Sequence, residues 1–301
     1  MALLLGLGFF APIADATRAL FGGGNDGSDV NIIDYVTISS AGNATDFGNL
    51  TVARRTTGAC SSFIRGLWGG GYNAGRFNVI DYVTIASAGN ATDFGNLTIT
   101  RNDLTACSSS TRGLFGGGST GVDQNVIDYV TIASTGNATD FGNLTVARRV
   151  PAACSSSTRG LFGGGSTGVL QNIIDYVTIA STGNATDFGD LTVARSTLAA
   201  SSSSTRGLFG GGSTVVLQNI IDYVTIASAG NATDFGDLTV ARSSLASSSS
   251  STRGVFGGGG SSDVIDYVTI ASTGNATDFG DLTVARSSAA ACSNGHGGIA
   301  A

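Results

Sequence analysis

A segment of 47 residues recurs six times along this chain of 301 residues. Each copy begins with "RGLFGGG" or a close variant and continues through "IDYVTIAS", "GNATDFG" and "LTVAR". The copies follow one another without a linker, and the sixth is three residues shorter between "GGG" and "IDY". Such a period indicates a repeat architecture in which each unit buries its apolar faces against its neighbours. We divide the chain into an apolar N-terminal strand or closure segment, residues 1–17, and six units over residues 18–64, 65–111, 112–158, 159–205, 206–252 and 253–301.

Each unit contains four segments with strand character, separated by Gly, Asn and Ser. Around the fourth copy they are residues 151–157, the following "RGLFGGG", residues 172–181, and a segment from "TDFG" to Arg195. The third segment is apolar on both faces, which predicts a strand buried on both sides. The chain also lacks Lys and Glu, which favour helices. We therefore predict an all-β fold, a β-propeller whose blades are these four-stranded units.

The C-terminal "AAACSNGHGGIAA" repeats the start of a unit, with Cys292 at the position of Cys154. A propeller must join its ends, because otherwise two blade edges stay exposed. If the tail supplies the inner strand of the first blade, the ring has six blades, which is our prediction. The alternative is a seventh blade built from both termini. We expect the apolar N-terminal run to be an uncleaved strand, because it lacks the basic start of a secretory signal.

Four features of the unit resemble the kelch repeat: the glycine cluster after the second strand, the Tyr of "IDY", the aromatic residue of "DFG" and the Arg of "VAR". The resemblance covers residues 18 to about 295 and implies a β-propeller. Phe stands where the kelch pattern usually has Trp. The amino-acid sequence of the repeat is also similar to that of repeat proteins encoded by marine tailed bacteriophages. That similarity implies a virion or extracellular location, and a cytoplasmic location is left open.

An Asp in "IDY" and an Arg in "VAR" recur in every unit. Arg binds a carboxylate through a planar, two-pronged contact that Lys cannot copy. We predict that these residues form charge-assisted bonds within or between blades, Asp175 and Arg195 being examples. The set comprises Asp34, Arg54, Asp81, Arg101, Asp128, Arg148, Asp175, Arg195, Asp222, Arg242, Asp266 and Arg286.

Two segments of the unit vary, one after "GGG" and one after "AR". Because neighbouring strands alternate in direction, both segments should emerge on one face of the ring, where binding usually occurs on a rigid scaffold. The first three units carry the more distinctive residues, so we predict a lopsided partner-binding patch. Its candidate residues are Asp26, Asp29, Arg55, Tyr72, Arg76, Phe77, Asp103, Asp123 and Arg149.

Recognised catalytic and cofactor patterns are weak in this chain. "GGG" is followed by no helix start and no Lys, and "DFG" occurs without a nucleotide loop. We expect the four Cys residues to be small buried thiols without disulfides. We expect the only histidine, His296, to have no fixed role so close to the chain end. We read "GNAT" as a turn with Asn side-chain bonds to backbone, although it is a glycosylation sequon in a secreted eukaryotic protein. No cofactor and no metal are expected.

These observations predict a non-enzymatic propeller for recognition or assembly, a virion or tail-associated protein that contacts a host glycan or another virion protein. A purely structural spacer or decoration subunit is the alternative. A glycan-active enzyme is less favoured, because such enzymes use paired acids and the chain has no Glu. The net charge of −6 and the absence of Lys argue against nucleic acid as a partner. We expect no membrane span and leave self-association open.

Overall fold

The structure is a computed structural model that describes residues 17–299. Within that range the 24 regular elements are all strands, and they form six antiparallel sheets of four strands each. No helix between residues 17 and 299 is long and apolar enough to cross a bilayer. The innermost strands contact one another in a closed cycle, so the six sheets are the blades of a β-propeller.

The strands are numbered in chain order and fall into four positions within the blades. The inner strands are β4 (Gly58–Ser61), β8 (Thr105–Ser108), β12 (Ala152–Ser155), β16 (Ala199–Ser202), β20 (Ala246–Ser249) and β24 (Ala290–Ser293). The second strands are β1 (Arg18–Gly22), β5 (Arg65–Gly69), β9 (Arg112–Gly116), β13 (Arg159–Gly163), β17 (Arg206–Gly210) and β21 (Arg253–Gly257). The third strands are β2 (Ile32–Thr37), β6 (Val79–Thr84), β10 (Val126–Thr131), β14 (Ile173–Thr178), β18 (Ile220–Thr225) and β22 (Val264–Thr269). The outer strands are β3 (Thr45–Asn49), β7 (Thr92–Asn96), β11 (Thr139–Asn143), β15 (Thr186–Asp190), β19 (Thr233–Asp237) and β23 (Thr277–Asp281).

The C-terminal tail closes the ring. Strand β24 pairs antiparallel with β1, so the first blade has the order β24-β1-β2-β3. The prediction of six blades is confirmed, and the seven-blade alternative is wrong because the tail completes the first blade. The predicted N-terminal strand lies almost wholly outside the described residues.

The outer strands are shorter than the sequence suggested. Strand β15 ends at Asp190, whereas we predicted a strand up to Arg195. The following residues leave the sheet because the next blade binds them: Thr192 donates from its backbone N and from Oγ1 to Asp222, at 3.2 and 2.6 Å. The "LTVAR" segment therefore joins two blades instead of extending one.

Each blade carries a β-bulge between its third and outer strands. Ile174 pairs with Gly189 and Asp175 with Asp187, which leaves Phe188 as the extra residue. The Phe188 ring is 2 % exposed and lies edge-on to Tyr176, with ring centroids 6.0 Å apart. "DFG" is thus a packing motif on the outer strand.

The hydrophobic core consists of six layers, each between neighbouring blades. In one layer Leu161, Ile174 and Phe188 of one blade pack on Phe209 and Val224 of the next. Blades approach closely at the glycines that end the second strands. A Cβ on Gly163 would lie 2.6 Å from Cε1 of Phe209, so a larger residue would push the two blades apart.

The recurring Arg and Asp residues pair between blades, which is one of the two arrangements that the sequence predicted. Arg195 Nη1 lies 2.9 Å from Asp222 Oδ2 in the next blade, and both side chains are fully buried. Asp175 pairs with Arg148 and not with Arg195. Burial lowers the pKa of Arg195, and the Asp222 carboxylate opposes that shift. The six pairs are Arg54–Asp81, Arg101–Asp128, Arg148–Asp175, Arg195–Asp222, Arg242–Asp266 and Arg286–Asp34.

A second set of interblade bonds runs around the axis at the ends of the inner strands. Ser202 Oγ donates to the backbone O of Ser155 in the preceding blade at 2.7 Å. We call the complete set the serine ring: Ser61 donates to Ser293, Ser108 to Ser61, Ser155 to Ser108, Ser202 to Ser155, Ser249 to Ser202 and Ser293 to Ser249. Ser293 belongs to the tail, so the tail also completes this ring.

Candidate binding site at the mouth of the central channel

The two variable segments of every unit lie on the same side of the ring, which we call the variable face. The turns "SSSTR" and "GNAT" lie on the opposite side, the constant face. On the variable face the channel opens into a funnel with a volume of about 240 Å³. Its deeper wall is formed by small residues near the starts of the inner strands: Ala59, Ala106, Ala153, Ala200, Ser247 and Ala291.

The upper wall of the funnel is a ring of residues with left-handed backbone conformations. Their φ angles lie between 50° and 58°, which is uncommon for residues other than glycine. Each N–H donates to the C=O of the equivalent residue in the preceding blade, for example Asp103 to Thr56 at 3.1 Å and Ser244 to Thr197 at 2.8 Å. We call this the rim ring: Thr56, Asp103, Val150, Thr197, Ser244 and Ser288. The interblade bonds account for the strained backbone, because they require this orientation of each N–H.

The other end of the channel is filled by the tail. Gly297 N donates to Ser202 O at 3.0 Å, and His296 Nε2 lies 3.2 Å from Ser108 Oγ and 3.3 Å from Ser61 O. Gly298 N donates to His296 Nδ1 at 3.1 Å, which places the imidazole proton on Nε2. Burial lowers the pKa of His296 to about 4, so its ring is neutral at neutral pH. The expectation that His296 has no fixed role is therefore wrong: it plugs the channel from the constant face.

The two variable segments of a blade are joined by a repeated backbone bridge. Arg55 and Tyr72 exchange N–H···O bonds of 3.1 and 2.9 Å, and Arg149 and Ser166 do the same at 3.0 and 2.9 Å. Five of the six blades carry this bridge between described residues: Asn25 with Ser287, Arg55 with Tyr72, Asn102 with Ser119, Arg149 with Ser166, and Ser196 with Ser213. The backbone of the variable face is thus nearly constant, and only the side chains on it change.

Two facing positions on this frame, one in each variable segment, hold different types of residue in different blades. Arg55 forms an ion pair with Asp29, and Arg149 Nη1 lies 2.9 Å from Asp123. The corresponding pair is Arg76 with Asn102, joined from Nε to Oδ1 at 2.8 Å. At the next two equivalent places the sequence has Leu170 with Ser196 and Leu217 with Ser243. The pairs are therefore charged on one side of the ring and apolar on the other.

Asp103 connects this charged side to the funnel. Its Oδ2 accepts a bond of 2.9 Å from Asn102 Nδ2, and Asn102 in turn holds Arg76. Burial raises the pKa of Asp103, while the Thr56 hydroxyl and the guanidinium groups of Arg149, Arg76 and Arg55 act in the opposite direction. A half-buried carboxylate thus lies at the mouth of the channel, inside a group of three cations.

The nine predicted binding residues divide into three groups. Asp103 alone lines the funnel. Six residues form contacts with one another or with Asn102 above it, namely Asp29, Arg55, Tyr72, Arg76, Asp123 and Arg149. Asp26 is exposed and bonds to nearby Ser28, and Phe77 is half-buried and bonds through its backbone to Gly71 and Arg101. Whether any of them binds a partner stays a prediction.

Sequence reasoning missed three features of the variable face. Asn102 carries the link between Arg76 and Asp103, but one Asn in a polar loop is not distinctive. The residue types of the rim ring do not indicate positive φ angles, since one of the six is Val150 and β-branched residues rarely adopt that conformation. The predicted patch includes none of the aliphatic loop tips, yet Val169 is 71 % exposed and Val215 is 97 % exposed. The run "VVL" in a loop was the available signal, because loops are normally polar.

The constant face carries the Asn residues of "GNAT". Asn231 Oδ1 accepts the backbone N–H of Asp190 in the preceding blade at 3.1 Å, and the equivalent bond occurs at every blade boundary. The Asn side chains do bond to backbone, but in the neighbouring blade and not within their own turn.

The cysteines lie between blades near the axis, as predicted. All four are buried and free, and a Cβ on Gly160 would lie 2.7 Å from Cys107 Sγ. Burial raises the pKa of Cys107 to about 12, so the group is a neutral thiol. Among the described residues no three His, Cys or Asp side chains are arranged to hold a metal ion.

The comparisons with known proteins add no family to this geometry. No protein-family model matches the chain. No curated protein matches it either.

Proposed function

We propose that this protein is a non-enzymatic β-propeller that recognises or assembles with a partner through its variable face. One observation carries the proposal: equivalent positions on a constant backbone frame hold Asp–Arg, Arg–Asn or Leu–Ser pairs around one funnel. Residues that hold the ring together are nearly the same in all six units. Side-chain diversity on an otherwise uniform scaffold is typical of a binding surface.

For the partner we propose a surface glycan or another virion protein, and for the protein a virion or extracellular location. The support is the similarity of the repeat's amino-acid sequence to repeat proteins of marine tailed bacteriophages. The charged part of the variable face suits a polar partner, because Arg76 is exposed and its guanidinium has no acidic partner among residues 17–299. Arg is frequent at binding hot spots, as are Tyr and Trp.

Catalysis is not part of the proposal. A glycosidase needs two carboxyl groups at a defined separation. Asp103 is the only acidic residue that lines the funnel within the described chain.

Binding to an array of immobilised glycans tests the proposal. We expect the wild-type protein to bind a subset of glycans, and Tyr72→Ala and Arg76→Ala to weaken that binding by about tenfold or more. Thr182→Ala on the constant face is the control, because Thr182 is exposed and lies far from the funnel. Equal binding by all four proteins would contradict recognition through the variable face.

A structural spacer or decoration subunit is the second candidate, and the aliphatic loop tips favour it. Val122, Val169, Val215, Val216 and Leu217 are all at least 49 % exposed on neighbouring blades of the variable face. Exposed apolar side chains that lie close together mark interaction surfaces. Ordered particles formed by the purified protein, and lost on Val215→Ser with Leu217→Ser, would support this candidate.

A further inference from the structure

Among residues 17–299, one ionisable side chain lies in the wall of the funnel, and that side chain is acidic. Asp103 lies in the rim ring among Thr, Ser and Val, above a wall of Ala. A carboxylate has about four acceptor positions, and the Asn102 amide uses one of them. Acceptor capacity therefore remains for a ligand that donates hydrogen bonds and carries positive charge.

The cations around Asp103 are mostly compensated. Arg55 is paired with Asp29 and Arg149 with Asp123. Arg76 is held through Nε by Asn102, so its orientation is determined on that side. Two of the three guanidinium groups thus carry their own counter-charge, which reduces their repulsion of a second cation at Asp103.

Hydroxyl groups face Asp103 from the other side of the funnel. Because the rim ring has six members, Ser244 lies three steps from Asp103 and thus directly across the axis. Ser244 and Ser288 line the funnel, and their hydroxyls form no hydrogen bond with residues 17–299. The wall between them includes apolar groups such as Pro151 and Leu198. A ligand that spans the mouth therefore meets a carboxylate at one end, free hydroxyls at the other and C–H groups between.

The volume limits the size of such a ligand. The funnel encloses about 240 Å³. Drug-sized ligands occupy pockets of about 300–1,000 Å³, so the funnel suits a smaller molecule, on the scale of one sugar ring.

We propose that the funnel binds a primary amine carried on a polyhydroxylated ring, a terminal amino sugar, with its ammonium group on Asp103 and its hydroxyls toward Ser244 and Ser288. This inference rests on the proposed function, since it names the ligand class for the same face. In this proposal the charged and polar residues of the first blades have one role: Arg76 and Asn102 orient the Asp103 carboxylate.

Calorimetric titration of the full chain with three matched sugars tests the inference. Glucosamine carries the ammonium group, glucose has a hydroxyl in its place, and N-acetylglucosamine has a neutral amide. We expect glucosamine to bind about tenfold or more tightly than the other two, the difference expected for a charge-assisted bond. Asp103→Asn should remove this preference. Asn tolerates the left-handed backbone, so the variant should keep its fold, and thermal unfolding verifies that.

Asp263→Asn is the matched control, because it removes the same charge from an exposed position in the variable segment of the sixth blade, and Asp263 does not line the funnel. It should leave the preference for glucosamine intact. The inference is overturned if wild-type protein binds none of the three sugars, if it binds glucose as tightly as glucosamine, or if Asp103→Asn keeps the preference. If glycan-array binding still depends on Tyr72 and Arg76 in any of those cases, the proposed function stands and only the ligand class is wrong.

Discussion

Asp222 illustrates what a single repeated residue does in this protein. It is fully buried and accepts bonds from Thr192 and Arg195 of the preceding blade. A buried ion pair contributes little net stability compared with an apolar pair, but removal of one partner leaves an uncompensated charge. The repeated pairs therefore determine how each blade is oriented on the next.

Asp222→Ala should lower the free energy of unfolding by about 3–5 kcal/mol, because it leaves the Arg195 guanidinium buried without a counter-charge. Urea denaturation of the variant and wild type measures this. Asp123→Ala is the control: its partner Arg149 has a side chain that is 44 % exposed, so the cost should be below about 1 kcal/mol. Similar costs for the two variants would show that the buried pair has no special role.

Val150 is strained, because a β-branched residue there has φ of 50°. Val150→Asn should raise the free energy of unfolding by about 1 kcal/mol, since Asn tolerates this conformation. The same exchange at Val126 on strand β10 should destabilise the protein, because Val suits an extended strand. The thermal midpoints of the two variants should therefore move in opposite directions; a fall for both would mean that Val150 is not strained.

At this scale the sequence predicted which residues recur but not how they are connected. Asp and Arg recur with such regularity that pairing was a sound inference. The sequence could not show that Arg195 reaches Asp222 and not Asp175, because all six copies contain both residues. The rim ring was not predictable, since its φ values follow from interblade bonds.

Among the elements, β24 has the greatest effect on the integrity of the ring. It is the only strand of the first blade that comes from the far end of the chain, and it places Ser293 in the serine ring. Without it β1 becomes an exposed edge next to the sixth blade.

Deletion of residues 290–301 should lower the free energy of unfolding by about 5 kcal/mol or more, because it removes a strand, the plug and buried side chains such as Cys292. Size-exclusion chromatography should also show self-association through the exposed edge of β1. Ser293→Ala, which removes one hydroxyl of the serine ring, should cost only about 1 kcal/mol. A truncated protein that stays monomeric and as stable as Ser293→Ala would refute closure by the tail.

The plug should make stability depend on pH. The pKa of His296 in the folded protein is about 4 and its ordinary value is 6.5, so between these values the unfolded chain binds a proton that the folded protein does not. Stability is therefore fully present above about pH 6.5 and falls as the pH is lowered towards 4, by on the order of 3 kcal/mol. Urea midpoints measured from pH 7 to pH 4 should fall less steeply in His296→Gln than in wild type. Parallel curves would count against a buried, neutral His296.

Element boundaries were the less predictable part of the fold. The alternation of apolar and polar residues in "LTVAR" is typical of a strand. The strand nevertheless ends at Asp190, because Thr192 and Arg195 bond to the next blade instead. The tail strand was predictable because Cys292 repeats the position of Cys154. The plug was not, since nothing in "GHGG" indicates a binding place inside the channel.

The whole molecule is a ring in which each interface repeats the previous one. Arg253 of the sixth blade donates to Ile38 O of the first blade at 3.1 Å, as Arg159 does to Ile226 O of the next blade at 3.0 Å. The all-β class, the four-stranded unit and the six-fold closure were all predictable, because they follow from the period and from the repeated tail. The position of the funnel was predictable from the variable segments, but its carboxylate and its hydroxyls depend on the three-dimensional arrangement of the rim ring.

The first strand and the end of the last strand meet, with Arg18 N donating to Asn294 Oδ1 at 2.8 Å, five residues before the last described residue. A permuted chain that joins residue 299 to residue 17 by a short Gly-Ser linker and opens between Val215 and Val216 should therefore fold. Its thermal midpoint should lie within about 5 °C of that of the unpermuted chain of residues 17–299, since 1 kcal/mol shifts the midpoint by about 2–4 °C at this size. Failure to fold would show that the order of the units along the chain matters beyond ring closure.

The backbone bridges of the variable face have an evolutionary consequence. They bind the two diverse segments of a blade together through main-chain N–H and C=O groups, which every amino acid except proline supplies. Mutations on that surface are therefore decoupled from the bonds that maintain the toroid, and a lineage can exchange Asp–Arg for Leu–Ser without redesigning its architecture. Duplicated genes of this kind can acquire new specificities rapidly, because selection acts on exposed side chains whose substitution leaves the main-chain bonds of the ring intact.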